Sequence, residues 1–104
     1  MDYQVPIPEC GFIRAVNEGE GFVSSGWRFS SRMTFDRRKL LSLLTAERLK
    51  AVFITDDGVY GYNLTTDALT EVGLDDCFES TIEIISATTN EDLEQQLLLC
   101  LHTT

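Results

Sequence analysis

The spacing of apolar residues changes period along the chain, and those changes mark out the elements. Residues 22–30 (FVSSGWRFS) set Val23, Ser25, Trp27 and Phe29 on one side, the period-two pattern of a strand rich in aromatic and β-branched residues. A shorter stretch, 11–17 (GFIRAVN), precedes it as a second strand, with Gly19-Glu20-Gly21 as the turn between them. Gly26, inside the longer strand, marks a bulge or a close backbone approach. The period then lengthens. Asp36 is placed to cap a helix, Phe35 and Leu40 to form a hydrophobic staple, and Leu40, Leu41, Leu43 and Leu44 make its apolar stripe. Arg37, Arg38 and Lys39 fall in the first turn, at the positive end of the helix dipole, and read as solvated charges.

Period two returns in 48–55 (RLKAVFIT), and Asp56-Asp57-Gly58 predicts a hairpin turn into 59–64 (VYGYNL). Thr65-Thr66-Asp67 makes another turn, 68–72 a short further strand, and 73–79 an acidic loop. The continuous apolar content of 81–86 (TIEIIS) predicts a central strand. Thr88-Thr89-Asn90-Glu91 fits a capping box, and Leu93, Leu97, Leu98 and Leu101 form the buried face of a second helix. Residues 1–10, with Pro6 and Pro8, read as an extended lead-in or linker, because each proline holds the residue before it in β or polyproline geometry. The expected domain is therefore 11–104. Its class is α+β: a two-layer sandwich of one mostly antiparallel sheet, four to five strands, with two helices packed on one face.

Charge divides the chain. All eight Lys and Arg lie between Arg14 and Lys50, and six acids in residues 1–50 leave that half at +2, whereas 51–104 carries eleven acids and no Lys or Arg. The net charge of −9 argues against a nucleic-acid partner, since a polyanion selects a basic surface. No apolar run reaches the roughly 18 residues of a membrane span. Three widely spaced cysteines, Cys10, Cys77 and Cys100, do not resemble a disulfide framework, and a reducing cytoplasmic setting is expected.

Catalytic signatures are sparse. Neither Lys39 nor Lys50 follows a glycine, so the phosphate-cradling P-loop is missing, and Gly19, Gly21 and Gly26 lack the dinucleotide spacing. His102 is the only histidine; it stands two residues from Cys100, on a different helix side, so no metal pair is expected. Cys77 with Asp75, Asp76 and Glu79 reads as a solvated loop. No cofactor or metal site is therefore assigned, and the chain is not expected to be an enzyme. The aromatics offer more. Trp27, beside Arg28, is either an interface anchor or a core residue. Tyr60 and Tyr62 share one strand side, opposite Val59 and Gly61, and are expected on the sheet face that the helices leave open.

Taken in order, Ser25-Gly26-Trp27-Arg28-Phe29, Phe35-Asp36 opening a leucine helix, 47–55 (ERLKAVFIT), 58–63 (GVYGYN) and 80–85 (STIEII) before a last helix resemble the C-terminal domain of the CobW family of metal-handling P-loop GTPases, over about residues 11–102. The resemblance implies a compact sheet-and-helix module that contributes protein contacts. The family's GTPase activity, GTP and its zinc, cobalt or nickel belong to a separate N-terminal domain with a Cys-x-Cys-Cys motif. It implies an accessory role in metal delivery or cobalamin biosynthesis, with a GTPase domain of the same or a companion chain, and a client metalloprotein, as partners. Arg48 and Lys50, then Arg28 and Asn63, match family positions and join Trp27, Tyr60 and Tyr62 as partner-binding candidates. Thr81 departs from the pattern, since relatives often carry Arg there. The alternative is a free-standing domain that binds a small ligand or a metal.

Overall fold

A computed structural model describes residues 6–19, 21–44, 48–77, 79–86 and 92–102. Strands β1 (Phe12–Gly19) and β2 (Phe22–Phe29) form a hairpin that ends on the pair Gly19 and Phe22, and Gly21 supplies the positive φ (81°) its two-residue loop uses. The register runs unbroken through Gly26, which pairs with Ala15 on one side and Glu83 on the other, so this glycine marks no bulge. Helix α1 (Arg37–Leu43) follows, then β3 (Arg48–Thr55), β4 (Gly58–Leu64), β5 (Leu69–Leu74), β6 (Ser80–Ser86) and helix α2 (Leu93–Leu99). The two-residue turn Asp56-Asp57 closes the β3–β4 hairpin as anticipated, with Gly58 at φ 121°.

The sheet has six strands in the order β1-β2-β6-β3-β4-β5, every neighbouring pair antiparallel. This exceeds the four to five expected. The two weakest stretches, 11–17 and 68–72, are both complete strands that extend past their predicted ends, and together they form the two edges of the sheet. Every residue of β5 is exposed, so it has no alternation of burial for a sequence pattern to reflect. Strand β6, last in the chain, sits in the middle as predicted. It pairs with both β2 and β3, which are therefore parallel to each other with β6 between them.

One face of the sheet carries the core. Cross-strand pairing lines up Trp27, Ile82, Ala51 and Tyr62, all buried. Leu40 and Leu44 from the α1 region and Leu93 and Leu97 from α2 belong to the same buried cluster, so both helices cover this side. Aromatic rings run through it in sequence: Phe12 on Phe29, Phe29 edge-on to Phe35, Phe35 to Phe53, and Phe53 near Tyr62, with centroids 4.9–6.3 Å apart. Burial of each such ring contributes about 1.5–3 kcal/mol. Edge-to-face contacts add roughly 0.5–1.5 kcal/mol per pair.

Asp36 caps α1 as its position predicted, its side chain accepting from the Lys39 backbone N–H. Leu40 and Leu44 are buried, while Leu41 faces outward. The capping box predicted at 88–91 lies outside the described residues. At α2 the N-cap position is Asp92, whose side chain makes no capping bond. No helix among the described residues is long and apolar enough to cross a membrane.

Candidate functional site

Because strand side chains alternate between faces, the residues left out of the core must line the opposite face, which carries no helix among the described residues. Two ladders define it. One runs Ile13, Arg28, Thr81, Val52, Gly61 and Val72; the next runs Ala15, Gly26, Glu83, Lys50, Asn63 and Thr70. Across β6, β3, β4 and β5 these rows enclose a shallow apolar trough of about 350 Å³, bordered by Lys50, Val52, Asn63, Val72 and Thr81. Gly61 forms its floor. A Cβ there would lie 3.4 Å from Leu74 Cδ1, in van der Waals contact with it, and would raise the floor of the depression. A smaller hollow of about 220 Å³ adjoins it, lined by Arg48, Lys50, Asn63, Glu83 and Ile85. Val72 is 57% exposed and Leu74 40%, so the trough opens onto apolar surface at the β5 edge.

Of the partner-binding candidates, Arg48, Lys50 and Asn63 come together here, all exposed and gathered around the two hollows. The other four do not join them. Arg28 points to the same face but is only 4% exposed: its guanidinium forks onto Glu79, Nε to Oε1 at 2.6 Å and Nη2 to Oε2 at 3.2 Å. Trp27 is fully buried on the helix side, where its Nε1 donates to Glu94 of α2 at 3.1 Å and the Arg14 guanidinium lies over its ring. It is the core residue, not the anchor. Tyr60 and Tyr62 also belong to the helix side, contrary to the expectation that they line the open face. Period two fixes that they share a side with each other; which side turns inward is decided by the residues they pair with, and Tyr60 opposes Phe53 while Tyr62 opposes Ala51, both buried. Gly61, Val72 and Leu74 were not singled out from the sequence. For Gly61 the signal was present in its alternation with the tyrosines, read with the opposite face; Val72 and Leu74 lie on the fully exposed β5, whose pattern carries none.

The tyrosines serve a clamp between α1 and the β4–β5 edge. Arg37 stacks its guanidinium over Tyr60 at 4.3 Å and binds Asp57 through Nη1 at 2.9 Å and Glu71 through Nε and Nη2. Arg37 is thus engaged rather than solvated, whereas Arg38 and Lys39 are exposed. The hydrogen bond from Arg37 holds the Glu71 carboxyl below its ordinary range. The Tyr62 hydroxyl is buried beside them with no hydrogen-bond partner among the described residues, and burial, aided by the neighbouring Glu71 carboxylate, pushes its pKa up to about 12.

Two of the thiols are pushed toward the protonated form. Burial raises the pKa of Cys77, helped by Asp76, and burial likewise raises that of Cys100. Cys100 caps the C-terminal end of α2 and is buried, while His102 lies beyond the helix and is exposed, so the expectation that both sit on one helix does not hold. One group of potential metal ligands does converge among the described residues: Asp36, Asp56 and His102, whose donor atoms lie within 4.8 Å of one another. It is at the end of β3, away from the trough. Comparison with known proteins gives no significant match; no family model, curated protein or solved structure aligns with the chain.

Proposed function

We propose that the chain is a non-catalytic interaction module that docks a partner protein on the helix-free face of its sheet. On the sequence resemblance, the partner is a CobW-type GTPase domain, of the same or a companion chain, working in metal delivery or cobalamin biosynthesis. The single observation that supports docking is the trough over Gly61, on the face that carries no helix among the described residues. It combines apolar walls with a polar border of Lys50, Asn63 and Arg48, the mixture of apolar centre and hydrogen-bonding rim typical of protein contacts. A partner side chain of leucine or aromatic size would fill it. Arg48 and Lys50 lie on this face while the chain as a whole is strongly acidic, so they would select an acidic patch on the partner.

The test is a titration of the domain with a CobW-type GTPase domain, loaded with GTP and then GDP, followed by amide shifts. Shifts centred on Val52, Gly61 and Val72, and at least tenfold weaker binding for Gly61→Val and Lys50→Glu, are expected. Failure to bind either nucleotide state rejects the GTPase partner, and shifts centred on the helices reject the face.

A further inference from the structure

We infer that Asp36, Asp56 and His102 form a binding site for a first-row divalent transition-metal ion. The three residues come from separate parts of the chain: the N-cap of α1, the β3–β4 turn and the segment after α2. Backbone bonds bring them together. Residues 34–36 run between 54–56 and 100–102: Phe35 N donates to Ile54 O, Asp56 N to Phe35 O, Asp36 N to Cys100 O and His102 N to Thr34 O, all at 2.6–3.0 Å. Phe35 pairs with Thr55 on one side and Leu101 on the other. Phe35 and Thr55 are buried, and the three potential ligands flank this inward-facing layer at its accessible border.

The charge balance favours a cation. Among the described residues neither aspartate has a salt bridge, and His102 is not close enough to either to form one. Of the two arginines that line the same hollow as Asp36 and Asp56, Arg37 is committed to Glu71, Asp57 and the Tyr60 ring, and Arg38 is exposed to solvent. One oxygen of Asp36 accepts from Lys39 N and one of Asp56 from Arg37 N, which leaves each carboxylate a second oxygen. Those two bonds also orient the carboxylates, in the way outer partners orient the ligands of metal sites. Two carboxylates and one imidazole suit zinc, cobalt, nickel or manganese better than calcium or magnesium, which favour all-oxygen sets. Three protein donors would leave coordination positions for water or a further ligand.

The inference is independent of the docking face, and its test uses no partner. Zn²⁺ and then Mn²⁺ are titrated into the Cys10→Ser chain, removing the one exposed thiol as a competitor. Calorimetry gives the stoichiometry, and the ring proton signals of the single histidine report directly. One Zn²⁺ per chain, shifted His102 ring signals, their selective broadening by Mn²⁺, and at least tenfold weaker binding in both His102→Ala and Asp56→Asn are expected. Asn at 56 retains an acceptor for Arg37 N, and amide spectra of the metal-free variants establish that each is folded. Unmoved His102 signals at 1 mM Zn²⁺, or binding that both variants leave unchanged, would overturn the site.

Discussion

The two faces of this sheet are made by alternate residues of the same strands, yet they are built on opposite rules. On the helix side, neighbouring strands offer large side chains that close against α1 and α2: Trp27, Phe29, Phe53, Ile82 and Ile84 are all at most 5% exposed. On the other side the corresponding positions are Gly26, Gly61, Val52, Thr81 and Val72, interrupted by Lys50, Glu83 and Arg48. One face spends its bulk on internal packing, and the other keeps small residues where bulk would fill a hollow. The comparison teaches that stability and contact capacity are separately encoded, in register, along single strands. Substitutions should therefore divide by face, with buried Arg28 the exception on the open side.

The largest effect is expected on the packed side. Phe53 touches both Phe35 and Tyr62 in the ring series and is completely buried. Phe53→Ala should destabilise by about 3–5 kcal/mol, measured by urea unfolding, since the cavity adds to the lost transfer energy. A loss below about 1 kcal/mol would mean the ring series is not the core. Next comes the place where the open face is itself closed. Removing Arg28 strands Glu79 and opens a buried site, so Arg28→Ala should cost about 3 kcal/mol, while the exposed cations Arg48 and Lys50 on the same face should tolerate alanine with little change.

The clamp at the β4–β5 edge sharpens the contrast through pH. Tyr62 keeps its proton to about pH 12 in the folded protein, whereas an unfolded tyrosine releases it near about 10. The unfolded state loses the proton first, so stability falls as pH rises across that window, and Tyr62→Phe should flatten the alkaline limb. Near neutrality the same variant removes an unpartnered buried hydroxyl and should be neutral or stabilising by up to about 1 kcal/mol. Glu71 works with the opposite sign. Its depressed carboxyl contributes stability above its ordinary titration range that is lost as pH falls below it, and Glu71→Gln should flatten the acid limb. The smallest effect belongs to the open face: Val72→Thr should change stability by no more than about 0.5 kcal/mol in thermal unfolding, while weakening partner binding.

Much of this arrangement was legible from local chemistry. Asp36 as a cap, Asp56-Asp57-Gly58 as a turn and the apolar run of β6 are each short-range signals, and each has its predicted place. What was not legible depends on pairing between distant segments. Alternation in VYGYNL states that Tyr60 and Tyr62 share a side, but only their partners Phe53 and Ala51 determine that it is the covered one. Trp27 and Arg28 looked alike as adjacent candidates, and both are enclosed, one by Glu94 of α2 and the other by Glu79 before β6. Those acids lie 67 and 51 residues further along the chain. Arg37 resembled a solvated charge because its partners, Asp57 and Glu71, are 20 and 34 residues away. The Asp36, Asp56 and His102 group was invisible for the same reason, since no spacing motif links those positions.

The central place of β6 has a consequence for synthesis. Until residues 80–86 have left the ribosome, the β1–β2 hairpin and the β3–β4–β5 meander have no strand between them and cannot share one interior. The nascent chain therefore carries two half-built hydrophobic surfaces until a single seven-residue segment joins them.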